Sequence, residues 1–469
     1  SGAGGSGTAV YTIDQSIRFN DDDNPYLSRT LSTASDGGKT YTFSWWQKLG
    51  SKIGATSVSN QYIIHTDLGG GSLADFLYIY DDKFLFWQQP TGTMLRTNQV
   101  FRDTAGWYNI TFAYDSTQAI ASERIRLYLN GNRITSFSTE NYPSLNNTSY
   151  FNTNTTHYIG GANNSGLRFD GYLAEIHFLD GYAYDPSYFG LFNDSGIWIP
   201  KEYSGSYGTN GFYLKGESAS DLGNDSSGNN NDFTTSGLAS HDQVSDSPTN
   251  NFCVANPLIP STVTYSEGNL KSVISANEST SATMGASSGK WYFEVYVNTV
   301  GSAYLGICSN QTTNFTSYIG QPEGVGCNAS AGDIYISNTT PAYTSFEGLP
   351  TYTSGDIIGI AFDVDNQKMW WSKNGQWYSG NASSESTINI SDVEAGNNAF
   401  DFSYINEQFI FPMLGTSSYA STTTSNFGQE GTFAGSTTAG GNSDSNGVGN
   451  FKYSVPSGYL ALCTKNLGS

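Results

Sequence analysis

The carboxylates are the residues of this sequence with the clearest chemical potential. Splitting a glycosidic bond takes two of them on one face, about 5–9.5 Å apart. Glu175 and Asp180, in FDGYLAEIHFLDG, are the nearest pair. Their odd separation puts them on opposite faces of a regular strand. Glu294 stands between Phe293 and Val295, with no acidic partner two residues away. Asp363 and Asp365 share a face, but at a hairpin tip where Asp is ordinary turn chemistry. The histidines, at 65, 157, 177 and 241, are isolated, and no Ser/His/Asp or Cys/His grouping is evident. The sequence therefore argues against catalysis, and the chain is expected not to be an enzyme.

Oxygen ligands are the next chemistry. Asp21, Asp22 and Asp23 are adjacent, and NDSSGNNND places Asp225, Asn229 and Asp232 in one loop. Such groups can hold Ca²⁺, and the second set is the calcium candidate. Neither spacing fits an EF-hand, and Asx-turns are the simpler reading. No other cofactor is expected. Sequons at Asn109, Asn146, Asn277, Asn338 and Asn389 are what chance gives in a chain this rich in Asn, Ser and Thr. The tryptophans Trp45, Trp46, Trp87, Trp370 and Trp371 offer stacking surfaces. An adjacent pair on a strand puts one ring in the core and the other outside, to meet a sugar or a neighbouring domain.

Composition narrows the setting. The 469 residues carry a formal charge of −21, from 41 acidic and 20 basic side chains. Phosphate is repelled by such a surface, so nucleic acid and anionic membranes are not expected partners. No run of about 18 or more apolar residues exists, so no membrane insertion is expected. The chain starts at Ser1 and reads as a mature or trimmed product, with room for an upstream anchor. Four cysteines are too few for a disulfide framework. Cys308 and Cys327 read as small core fillers. Cys253 and Cys463 read as buried thiols, or as a disulfide if the strands that carry them pair.

The elements that must position these residues are strands. Tyr, Phe, Gly, Asn, Ser and Thr dominate, and Ala/Leu/Glu/Lys-rich runs are missing. Residues 1–10 are a flexible Gly/Ser arm. Short runs bounded by Gly, Asn or Asp follow: YTFSWWQKL, QYIIHT, DFLYIYDD, KFLFWQQ, WYNITFAYD, RIRLYLNG and THYIGG. In the closing strand, Tyr172, Ala174, Ile176 and Phe178 are expected on one side, and YDPSYFG gives a short helical turn. Residues 199–250, dense in turn formers, read as an ordered connector. Strands resume in GKWYFEVYV, with Trp291, Phe293, Val295 and Val297 on one face. They continue through AYLGICS, DIYIS, DIIGIAFDVDNQKMWWSKNGQW and FIFPML. Residues 430–450 are expected as a long exposed loop. Two strand series without intervening helices mean an all-β chain of two antiparallel sandwiches.

The first series, with SIRFNDDDNPYLSRT, NQVFRDTAGWYNITFAYDSTQ and FDGYLAEIHFLDGYAYDPSYFG, resembles laminin-G-like, concanavalin-A-like lectin domains. The second, with GKWYFEVYV, LGIC, GDIIGIAFDVDNQKMWWSKNGQW, FPML and NFGQ in order, resembles a SPRY domain. The connector and the closing VPSGYLALCTKNL resemble segments of marine bacteriophage virion structural proteins. The resemblance implies jelly-roll-type sandwiches at 11–198 and 251–469 around the 199–250 connector. It implies a virion surface protein that binds a host glycan or protein without catalysis. The alternatives are a capsid-decoration or fibre subunit without its own ligand and, less favoured, a polysaccharide-degrading enzyme. It also implies homo-oligomers and other virion proteins as partners. Carried over by position, the SPRY edge loops make Tyr318, Glu323, Tyr343, Phe346, Asn374 and Trp377 the ligand-binding candidates.

Overall fold

The computed structural model describes residues 11–32, 36–51, 60–70, 72–161, 168–337, 346–405 and 409–468. It is almost entirely β, as its composition requires, and divides into two compact units at Asn250/Asn251. No helix among the described residues is long and apolar enough to cross a membrane.

The first unit is a sandwich of two eight-stranded antiparallel sheets. Thr40–Leu49 pairs with Tyr108–Asp115, placing Phe43 opposite Phe112 and Tyr41 opposite Tyr114. Between the sheets, Phe43 meets Phe151 and Phe178, and Trp45 meets Phe84. The segment 199–250 folds into this unit. Phe212–Leu214 pairs with Gly171–Asp180, Thr234–Ser236 with Tyr26–Thr30, and Gln243–Val244 with Ser16–Phe19. Its apolar anchors Phe212, Leu214 and Phe233 are all buried.

The closing strand departs from the expected alternation. Phe178 faces the core, but Ala174 packs with Trp46 and Ile13 on the outer face, where Tyr172 lies beside Trp107. The break is at Glu175, whose φ of 51° is in the left-handed region. One residue out of step reverses the facing of everything before it. The helical turn is present as Pro186–Tyr188, capped by the Asp185 carboxylate, which accepts from Ser187 N at 2.9 Å.

The second unit pairs a ten-stranded sheet with a six-stranded one. Trp291, Phe293, Val295 and Val297 enter the main core together, as their spacing demands. Residues 430–450 differ from the expected exposed loop. This stretch folds back with Phe433, Val448 and neighbouring Phe451 buried, and Phe451 packs on Tyr292, outside the large sheet. Asp444 organises it, accepting from Asn446 N, Val448 N, Ala461 N and Asn466 Nδ2. Trp370 and Trp371 point to opposite sides of their strand, yet both are buried, because the outer one packs on Tyr459 and donates to Asn397 O within a second apolar cluster.

The four cysteines are buried thiols. Phe252 does pair with Cys463, but Cys253 faces the main core and Cys463 the outer cluster, so their sulfurs lie on opposite sides. Burial pushes Cys308 up to about 12. All four thiols are expected to resist a thiol reagent at pH 8 in the native chain and to react together on unfolding. Fast labelling of one thiol in native buffer would contradict the burial.

Candidate functional site

The second sheet of the first unit carries an aromatic outer face. Its strands alternate, so Leu77 and Ile79 enter the core while Phe76, Tyr78 and Tyr80 point outward. Register then gathers aromatic residues from neighbouring strands. Tyr62 opposes Tyr78, His65 opposes Phe76, and Phe76 opposes Trp87. Tyr158 opposes His65, and Tyr26 joins from the next strand at 5.5 Å from Tyr158. Tyr62 and His65 are an odd number of residues apart, yet share this face because the register shifts between Tyr62 and Ile64.

Ring geometry decides what this face offers. Tyr62 and Tyr78 stack at 5.0 Å and 12°, and His65 and Tyr158 at 5.0 Å and 5°. Rings stacked on one another across strands turn their edges outward. The surface is thus a row of half-buried ring edges. The hydroxyls of Tyr26, Tyr62, Tyr78 and Tyr158 have no intramolecular hydrogen-bond partner among the described residues. Burial pushes Tyr78 up to about 12 and raises Tyr62 and Tyr158, so these phenols stay protonated at neutral pH and can donate. His65, wholly buried, is pushed down to about 3, first by burial and then by His157 and Arg168, and acts as a neutral spacer. Arg96 lies over Tyr80 at 5.5 Å and pairs with Asp81 at 2.8 Å at one side of the row.

The residues expected from sequence fall elsewhere. Tyr318 packs against Tyr304 at 4.8 Å, and Glu323 accepts from Ser309 Oγ at 2.7 Å, both beside the six-stranded sheet. Tyr343 lies outside the described residues, and Phe346 sits in the edge strand Phe346–Glu347. Asn374 is an exposed turn residue that donates to Asp356 at 2.7 Å. Trp377 is a correction: it is 3% exposed, packed beside Tyr292 under the C-terminal segment, and cannot meet a ligand. Among the described ones, Tyr318, Glu323 and Phe346 go with the six-stranded sheet, and Asn374 and Trp377 with the ten-stranded one. Asn109, a sequon, is also buried, with Nδ2 on Trp45 O.

At the calcium candidate the side chains are engaged within the loop. Asp225 Oδ1 accepts from Tyr213 N and Ser227 N, and Oδ2 from Ser227 Oγ and Asn231 N. Asp232 accepts from Asp225 N, while Asn229 donates to Gly208 O and Gly211 O. The loop closes on its own donors. Among the described residues, no three His, Cys, Asp or Glu side chains assemble for a metal. The other carboxylates are similarly engaged. Glu175 accepts from Tyr11 and Tyr213 on the outer face, and Asp180 from Asn152 and Asn210 on the core side. Burial opposes ionisation of Glu175 but is outweighed by His177, Tyr213 and Tyr11, which hold it below the usual range.

Two family models match, one on each unit. Residues 21–183 match the concanavalin A-like lectin/glucanases superfamily, and residues 290–389 match the SPRY domain. The chain is therefore similar to concanavalin A-like domains over the first segment and to SPRY domains over the second. No curated protein matches it in sequence. It is similar to the SPRY domain of human HERC1, at 13% identity and a TM-score of 0.27, over 36% of this chain and 96% of that one. Its similarity to the heptameric SAP-like pentraxin of Limulus polyphemus is 15% identity and a TM-score of 0.28, over 38% and 80%. A putative carbohydrate binding protein from Bacteroides ovatus gives 13% and 0.27, over 48% of this chain and 58% of that one.

Proposed function

We propose that this chain is a non-catalytic attachment protein of a bacteriophage particle. It binds a host-surface glycan or protein through the tyrosine-rich face of its concanavalin A-like domain. That face is the observation that carries the reading. Tyrosine combines a large rigid apolar body with a polar tip, at little entropic cost of ordering, which suits it to recognition surfaces. The phage setting, and the virion surface as location, rest on the resemblance of the connector and of VPSGYLALCTKNL. Neither metal nor cofactor is part of this reading.

A subunit role without its own ligand is the second reading. The two-stranded hairpin Gly190–Phe192 and Trp198–Pro200 favours it, because Leu191, Phe192 and Ile197 are exposed there. Such a patch suits contact with a further virion protein or another copy of the chain.

Binding of the full chain to host cells and to a glycan array tests the proposal. Replacing Tyr62, Tyr78 and Trp87 by Ser, Ser and Ala is expected to weaken binding by about thirtyfold or more, the scale of a lost hot spot. Unchanged binding by that variant, or tight binding to virion proteins alone, would refute it. Sugar release from host polysaccharide would overturn the non-catalytic part.

A further inference from the structure

The second unit contains an amide-lined cleft of about 450 Å³ that is separate from the SPRY loop positions considered above. Two turns and the starts of two strands build it. Gly380 N donates to Asn398 O at 2.8 Å, tying the turns together. A Cβ on Gly380 would stand 2.4 Å from Phe400 N, so only glycine allows this approach. Trp370 Nε1 holds Asn397 O at 2.7 Å from beneath, and Lys368 Nζ holds Gly396 O at 2.7 Å. The walls are fixed before any ligand arrives, which lowers the ordering cost of binding.

The groups facing the opening are uncommitted. The Asn397 and Asn398 side-chain amides are exposed and have no partner among the described residues. Asn381 Oδ1 accepts from Ser379 Oγ at 2.8 Å, which leaves its amide N–H groups for a ligand. Asp401 uses one oxygen on Ser403 N at 2.8 Å. Lys368 spends one ammonium donor of three on Gly396.

This set excludes several ligand classes. The ammonium of Lys368 opposes a metal cation. Asp401, together with the −21 charge of the chain, opposes an anion. The lining is mixed, apolar in about the same measure as polar, so a wholly apolar ligand would leave its amides unpaired. What remains is a small neutral ligand whose groups both donate and accept, as vicinal hydroxyls do. We propose that this cleft is a saccharide site, taking a single neutral hexose ring or the terminal ring of a glycan. It is independent of the tyrosine face.

Titration of the full chain with D-galactose, D-glucose, D-mannose and N-acetyl-D-glucosamine tests it, read by saturation-transfer NMR and by tryptophan fluorescence. At least one sugar is expected to bind. Asn398→Gly, which keeps the left-handed backbone at φ 55°, and Asp401→Ala are each expected to weaken binding by about tenfold. Both positions are exposed, so folding is preserved. Absence of binding by all four sugars overturns the inference, as does binding unchanged in the variants. Sugar binding lost only in the tyrosine-face variant overturns it too, while leaving the attachment proposal standing.

Discussion

Asp246→Ala is expected to destabilise the first sandwich by about 3–5 kcal/mol, because it removes one partner of a buried ion pair. Lys48 Nζ meets Asp246 Oδ2 at 2.7 Å with both side chains fully buried. The second carboxylate oxygen accepts from Trp107 Nε1 at 3.0 Å, and Ser16 Oγ donates to Asp246 O at 2.6 Å. Asp246 thereby fastens the end of the 199–250 segment to the outer face of the sheet. Removing it breaks a short ion pair to a buried ammonium in a medium that solvates charge poorly. The double replacement Lys48→Met with Asp246→Leu is expected to recover most of the loss, since apolar residues of similar volume fill a buried ion-pair site at little cost. Urea denaturation, with hydrogen exchange along Ser16–Phe19, measures both. Equal destabilisation by the single and double variants would show that packing, not charge, holds this site.

Glu294→Ala is expected to cost the second sandwich about 3 kcal/mol at pH 5, by leaving buried donors unpaired. The carboxyl is wholly buried in Lys290–Thr299 and accepts from Tyr292 Oη, Asn426 Nδ2, Lys452 N and Tyr453 N. The last two are backbone groups of the C-terminal segment, so Glu294 clamps that segment to the sheet. Burial pushes it up to about 7 despite these donors. A carboxyl raised in the folded state contributes stability that is complete below its unfolded value. That contribution fades as pH rises through the folded one. The gap between wild type and Glu294→Ala is therefore widest near pH 5 and narrows by up to about 3 kcal/mol towards pH 8. Urea midpoints at the two pH values test it. Groups common to both proteins cancel, and a gap that widens with pH would reverse the assignment.

The positions that misled sequence reading share one physical cause. Alternation along GKWYFEVYV placed four residues on one face correctly, because nothing interrupts that strand. In FDGYLAEIHFLDG a single left-handed residue, Glu175, reversed Tyr172 and Ala174. In QYIIHTD a register shift brought Tyr62 and His65 to one side, so the aromatic face could not be read from any one strand. A weak signal was present in DFLYIYDD, whose Phe76, Tyr78 and Tyr80 alternate outward. Its partners Tyr26 and Tyr158 are distant in sequence, although Trp87 comes from the next strand of the same hairpin. Trp377 sits in a readable hairpin, but the segment that covers it begins some fifty residues later.

Composition and periodicity by themselves determined the all-β class, the two sandwiches and the turn chemistry of the Asp and Asn clusters. These are local properties, fixed by side-chain alternation and by backbone preferences at turns. Tertiary structure alone decided which strands are neighbours, which rings lie open and which carboxylates are spent on internal donors. Those outcomes depend on pairings across tens to hundreds of residues, and on bulges that cost too little for local sequence to announce them. The tyrosine face, the Glu294 clamp and the amide-lined cleft all arise at that level.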